Sequence, residues 1–293
     1  MGNKIKVMDN KFKGIFFMII FALSLSIMST FLKLAGHIPV AEKTVYRNGI
    51  AAIFAFIVIF KNNKFSNFGS YFGTRENILG LSLRSIFGIV GITLNLYALQ
   101  YLMLPNATIL QDLSIFFVLI FSFLFLGEKF KLRHLLLIIV AFVGAFLIVD
   151  PTSGKFLLLP SIAAILGAMM NGGDSVTMRY LRDKCEPITL IFFYNFISCV
   201  ILLPFMIIYY KHLSLHTTIY LILAGLMYIV VEFSIILAYK YAPAKDIAIF
   251  RYTDIIFSAI LGVLVFGKIP NFVEIIGYIL IVAAAIVILL FRE

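Results

Sequence analysis

Apolar residues in this chain run in blocks of about twenty, broken by short connectors in which the basic residues collect. Roughly 20 apolar residues is the length an α-helix needs to cross the hydrocarbon of a bilayer. Ten such blocks fall at residues 14–34, 43–60, 78–100, 106–126, 133–149, 157–180, 188–209, 217–240, 246–266 and 271–290. The longest connector, "KNNKFSNFGSYFGTREN" after the second block, leaves no room for an extramembrane domain. The first block follows Lys4, Lys6, Lys11 and Lys13, as a secretory leader would. It is too long for one, has no clean small-residue cleavage site and is followed by comparable runs to the C-terminus, so it reads as the first span. The pattern predicts an all-α integral membrane protein with ten transmembrane helices.

Composition strengthens that reading: 62% of the 293 residues are hydrophobic, 13% are charged, and mean hydropathy is +1.08. The net charge of +10 sits in connectors rather than on one basic face, which argues for topology and against nucleic acid. With ten spans, one side carries Lys4, Lys6, Lys11, Lys13, Lys61, Lys64, Arg75, Lys129, Lys131, Arg133, Arg179, Arg182, Lys184, Lys240, Lys245 and Arg292. The other carries Lys43, Lys155, Lys211 and Lys268. The positive-inside rule then puts both termini in the cytoplasm. Cys185 and Cys199 offer neither a metal set nor a convincing disulfide.

A shift of 140 positions sets "ALQYLMLPNATILQDLSIFFVLIFSFLFLGE" on "AYKYAPAKDIAIFRYTDIIFSAILGVLVFGK" without a gap, pairing Ala98 with Ala238, Tyr101 with Tyr241 and Gly127 with Gly267. A shift of 148 pairs Pro39 with Pro187 and Tyr46 with Tyr194. Spans one to five therefore correspond to six to ten, dividing the chain into repeats at residues 1–152 and 153–293. Five is odd, so the second repeat enters from the opposite face. Two inverted five-helix repeats are an architecture of secondary transporters, with a site near the midplane where the halves meet.

Arg47 opening the second span, "LRSIFGIVGITLNLYAL" in the third and "FLFLGEKF" closing the fourth resemble the EamA-type branch of the drug/metabolite transporter superfamily. Within it, "LRSIFGIVGITLNLYAL", "FFYNFISCVILLPF" and "FRYTDIIFSAILG" are most similar to S-adenosylmethionine uptake transporters of the bacterial inner membrane. The resemblance implies a multi-pass inner-membrane carrier of a small polar metabolite, working by alternating access without ATP. The same framework also serves amino acids, nucleotides, flavins, amines and sugars. The sequence departs from the family pattern at "LQDLSIFFVL", where a proline is frequent, and at Gly267-Lys268, where an acidic residue is common.

Charged side chains are costly at the bilayer centre, about 2.5–3.5 kcal/mol on insertion scales, so each needs a partner or a wet cavity. The spans hold Asp112, Asp174, Glu232 and Asp254 against Lys33, Arg47, Arg84 and Arg251, a balance that favours pairing. Arg251 and Asp254 share a helix face. They are either a structural ion pair or the wall of a binding site that meets a carboxylate or phosphate and an amine. Gln111 matches Arg251 in the repeat, with Asp112 beside it. Glu232 offers a protonatable carboxylate near mid-span, for coupling or for a hydrogen bond to a neighbouring helix. Asn171 and Asp174 share a face in "MMNGGDSVTMRY". Arg47 lies near a span end, with a cavity role or snorkelling open to it, and Lys33 reads as snorkelling. Arg84, beside Ser85, Gly88 and Gly91, reads as structural or gating. Tyr97, Tyr194, Tyr228 and Tyr252 join a ring to a hydroxyl for stacking. Asn95, from the third-span motif, completes the candidate substrate-binding set.

No catalytic constellation competes. His37, His134, His212 and His216 lie in connectors or at span ends, no H-E-x-x-H, G-x-S-x-G or Walker loop occurs, and no metal or cofactor is implied. The expected protein is a non-enzymatic carrier, monomeric or homodimeric, coupled to protons or to a counter-substrate. Its central site is enclosed by spans one, three, four, six, eight and nine, with hinges at residues 101–106 and 241–245. Replacing Asp254 by Asn or Arg251 by Gln is expected to abolish uptake while leaving expression and detergent stability largely intact. Loss of stability in both variants would instead make the pair structural, and normal uptake by both would remove it from the site.

Overall fold

A computed structural model describes residues 2–63, 69–127, 132–149, 158–181, 184–210, 212–242 and 247–290. No strand occurs among them. Hydrocarbon offers no partner to a peptide N–H or C=O, and a helix satisfies both internally. The helices are α1 (Gly2–Leu34), α2 (Val40–Asn63), the single turn α3 (Gly69–Phe72), α4 (Ile78–Tyr101), α5 (Leu104–Asp112) and α6 (Ser114–Leu126). Then come α7 (Leu132–Val149), α8 (Leu158–Leu181), α9 (Pro187–Ile208), α10 (Leu215–Tyr241), a 3-10 turn (Ala248–Tyr252), α11 (Thr253–Phe266) and α12 (Phe272–Leu290). Six spans are helical over a length and apolarity that suit crossing, among them Asn10–Leu34 and Leu215–Tyr241, and shorter apolar helices supply others.

The fold is all-α, with ten membrane helices in two inverted five-helix repeats. The fourth span is α5 plus α6, and the ninth is the 3-10 turn plus α11. The block boundaries read from the sequence match within a few residues, except that α1 starts earlier and α3 was not foreseen. Tyr71 of α3 is buried against Phe192.

Local geometry repeats in the register of the sequence match. Leu102 and Ala242 both end their helices in extended conformation, each amide donating to Ala98 O or Ala238 O. Gly127 and Gly267 both close their helices with a left-handed residue, φ 67° and 61°. The breaks in the fourth and ninth spans, at Leu113 and Thr253, also coincide under the 140-residue shift. Of the two expected hinges, residues 102–103 are a tight connector, and residues 243–246 lie outside the described residues.

The closest packings run between the halves and come in exchange-related sets. α1 packs on α10 and α4 on α8; α2 packs on α10 and α4 on α9; α1 packs on α11 and α6 on α8. The pairs α2 with α9 and α7 with α12 map onto themselves. Large apolar side chains such as Phe12, Leu79, Phe125, Phe146, Ile207 and Leu264 point outward, the surface that lipid would cover.

Small residues set the separations. A Cβ on Gly144 would lie 2.8 Å from Gly277 O, and one on Gly277 would lie 2.7 Å from Gly144 O, so α7 and α12 meet backbone to backbone. Asn95 of α4 rests over Gly167 of α8, while Asn171 of α8 rests over Gly91 of α4. Replacing Gly144 by Leu should force α7 and α12 apart at a cost of about 1–3 kcal/mol. The check is a lowered midpoint of thermal unfolding in detergent, with Gly36→Leu unsuitable as a control because its φ is +78°.

Candidate functional site

Two groups of charged side chains lie inside the bundle. The first joins the halves. Leu113 and Thr253 mark the breaks in their spans, with α5 ending at Asp112 and α11 starting just before Asp254. Arg251 Nη2 stands 3.6 Å from Asp112 Oδ1, and its guanidinium lies over the Phe21 ring at 5.8 Å. α5 packs on α11 here, so Asp112 and Asp254 lie within electrostatic reach of each other and of Arg251. Both side-chain oxygens of Asp254 and Oδ2 of Asp112 are buried without a hydrogen-bond partner. The Asp254 carbonyl is taken by Ser26 Oγ of α1 at 2.9 Å.

This geometry corrects the expected Arg251–Asp254 pair. Residue 251 belongs to a 3-10 turn and residue 254 to the α-helix after it, and the guanidinium makes its close contact with Asp112 while Asp254 stays within its electrostatic reach. The ion pair forms across the repeats instead. Tyr252 is buried beside the group, and Gln111 is half-buried next to Asp112.

The second group draws on α2, α4, α8, α9 and α10. Arg84 donates to Leu190 O, stands 3.4 Å from Asp174 Oδ1, and lies over the Tyr194 ring at 5.3 Å. Arg47 donates through Nε to Asn48 Oδ1 at 2.8 Å, and Asn48 reaches Ser198 Oγ at 2.8 Å. The Arg47 guanidinium lies over the Tyr228 ring at 4.1 Å, within cation–π range. Glu232, one turn beyond Tyr228, is in electrostatic reach of Asp174, Tyr194 and Tyr228. Two guanidiniums, two carboxylates and two phenols thus face one region.

The remaining candidates lie elsewhere. Asn95 and Asn171 sit in the α4–α8 seam described above, with both amide atoms of Asn95 buried and unpartnered. Tyr97 meets Tyr101 towards the α4 end, ring centroids 5.0 Å apart and the planes tilted by 54°. A groove of about 380 Å³ lined by Pro39, Val40, Ala41, Thr93, Leu202, Phe205 and Tyr209 is apolar and shares no residue with either charged group.

Lys33 does not snorkel. Its ammonium donates to Leu99 O at 2.8 Å and to Leu102 O, the carbonyls that α4 leaves open at its C-terminus. Lys43, counted from sequence on the side opposite the termini, is 1% exposed and donates to Leu32 O of α1 at 2.8 Å. The sequence reading also missed Glu274, which accepts from Asn106 and from the Asn271 amide. The Glu274 amide in turn donates to Asn271 Oδ1 at 2.8 Å, a capping box that the three-residue spacing could have revealed. No group of three His, Cys, Asp or Glu suited to a metal occurs among the described residues. At the α8–α9 connector, burial pushes the Cys185 thiol up from its ordinary range.

The EamA-like transporter family model matches residues 12–150 and again 158–290. The chain belongs to that family. Each of the two matches covers one five-helix half. Among similar EamA-like and related transporters, the pseudopaline exporter CntI of Pseudomonas aeruginosa is 25% identical over 96% of this chain and 97% of its own length. Human solute carrier family 35 member G1 is 24% identical over 92% and 77%. The S-adenosylmethionine uptake transporter of Rickettsia bellii is 25% identical over 71% of each. A solved crystal structure at 16% identity superposes with a TM-score of 0.64 over 97% of this chain and 98% of that one, which shows a shared fold.

Arg84 and Asp174 form a largely buried pair, so removing one member strands the other. Arg84→Ala is expected to cost about 3 kcal/mol, with part of the loss restored in Arg84→Ala/Asp174→Ala. Thermal unfolding of the two variants and of Asp174→Ala completes the double-mutant cycle.

Proposed function

We propose that this EamA-like transporter carries a small zwitterionic metabolite across the membrane by alternating access, and that S-adenosylmethionine or a similar amino-acid- or nucleoside-containing molecule is its substrate. The observation that carries the reading is the second charged group, where Arg47, Tyr228, Glu232, Asp174 and Tyr194 converge from both halves. Arg47 suits a carboxylate, since its fork matches two acceptor oxygens. Glu232 and Asp174 suit an ammonium or sulfonium. Tyr194 and Tyr228 suit a flat base or a cation over a ring. Arg84, bound to Leu190 O on α9 and to Asp174 on α8, acts in this reading as a gate rather than a ligand.

The relatives support a polar metabolite without fixing direction, since one is named an exporter and another an uptake transporter. The distribution of Lys and Arg supports a bacterial inner membrane with both termini cytoplasmic. The repeat boundaries at 152 and 153 fit the gap between the two family matches.

The test is flux in proteoliposomes with labelled S-adenosylmethionine, with and without a pH gradient, preceded by a thermal-shift screen that adds amino acids, nucleosides, flavins and amines. S-adenosylmethionine should raise the unfolding midpoint and move faster than in protein-free vesicles. Arg47→Gln and Glu232→Gln should each lower flux at least about tenfold, the effect of losing roughly 1.4 kcal/mol. Flux at the protein-free level alongside transport of another class would replace the substrate. Wild-type flux in both variants would remove the second group from the binding site.

A further inference from the structure

We infer that the Asp112–Asp254 pair is a proton-binding site that couples ion movement to transport, distinct from the group that meets the substrate. The inference rests on the transporter reading but not on the identity of its substrate.

The argument begins from charge and hydrogen bonding. Asp112 and Asp254 bring two formal negative charges, and Arg251 brings one positive charge, 3.6 Å from Asp112 Oδ1. One negative charge is left over in a place where Asp112 is 4% and Asp254 1% exposed. Three of the four carboxylate oxygens, Asp112 Oδ2 and both of Asp254, are buried without a donor. A buried carboxylate without donors is costly, and two within reach of each other more so. A single proton removes both costs: it cancels the excess charge and supplies the missing donor, turning one carboxylate into an acid that hydrogen-bonds the other.

Among the described residues the surroundings offer no other solution. The 3-10 turn contributes Arg251 and Tyr252, and α10 contributes Tyr239. α1 contributes Ser26, whose hydroxyl is spent on the Asp254 carbonyl, and the Phe21 ring, neither of them charged. On α12, Glu274 is already held by Asn106 and Asn271. A guanidinium so close to Asp112 repels a metal cation, whereas a proton needs only the two carboxylates. The substrate-facing group differs in kind, because its guanidiniums and carboxylates are balanced, two against two.

Position makes the pair a coupling device. Asp112 ends α5 in the first half, and Asp254 opens α11 in the second, each beside the break in its span. A rocking motion of the halves changes the distance between the carboxylates. Apart, each is an anion that binds a proton singly; together, they hold one between them. The proton taken from one compartment is released as H+ to the other when the pair separates, with no bond broken except O–H.

The experiment has two arms. Infrared pH titration of the purified protein in detergent reads the carboxylic C=O band directly and needs no substrate. The band should titrate in the wild type and be lost in Asp112→Asn, in Asp254→Asn and in Asp254→Ser, which restores the Ser that the matching position 114 carries. It should persist in Glu232→Gln. Proteoliposomes then separate coupling from binding: in the Asp254 variants, accumulation of labelled S-adenosylmethionine driven by a pH gradient should fall at least about tenfold, and by more than exchange without a gradient does. An unchanged band in all three variants overturns the site. So does accumulation driven by sodium in place of protons, or equal loss of exchange and accumulation in properly folded variants. If the wild type moves no S-adenosylmethionine yet shows the band and its loss, the substrate reading fails and the proton site stands.

Discussion

Water is absent from the hydrocarbon core of a bilayer, so every charge carried there has to be answered by another part of the same chain. In this EamA-like transporter the answers come mostly from the opposite repeat. Arg251 of the second half meets Asp112 of the first, and Arg84 of the first meets Asp174 and the Leu190 carbonyl of the second. The apolar helices could pack in many registers, because lipid tails are as apolar as their side chains. The charges cannot, and they fix which faces of the two halves turn inward.

Tight contacts between small residues then decide how near the helices come. Gly144 against Gly277 lets two backbones touch, and Asn95 over Gly167 with Asn171 over Gly91 keys α4 to α8.

Much of the architecture was legible in the sequence because the governing rule is simple: a bilayer-length apolar block becomes a helix. The 140-residue self-match paired Gly127 with Gly267, and both close their helices in left-handed conformation. The candidate site was only partly legible. Helical spacing put Arg251 beside Asp254, but the close ion pair of Arg251 is with Asp112 of the other repeat, a partner that only tertiary packing supplies. Lys43 and Lys33 were misplaced for a different reason. Their long side chains fold back onto helix carbonyls at Leu32, Leu99 and Leu102, partners that exist only once α1, α2 and α4 have been brought together. Convergence of Arg47, Tyr228 and Glu232 with Tyr194 and Asp174 likewise depends on tertiary packing.

The interrupted fourth and ninth spans carry a mechanical consequence. A continuous helix is a stiff rod, and tilting one end moves the other by a comparable amount. α5 and α6 are joined at Leu113, and the 3-10 turn is joined to α11 at Thr253, so each span is two shorter rods meeting near Asp112 or Asp254. Each joint is a place where one segment can tilt without its continuation having to follow by the same amount.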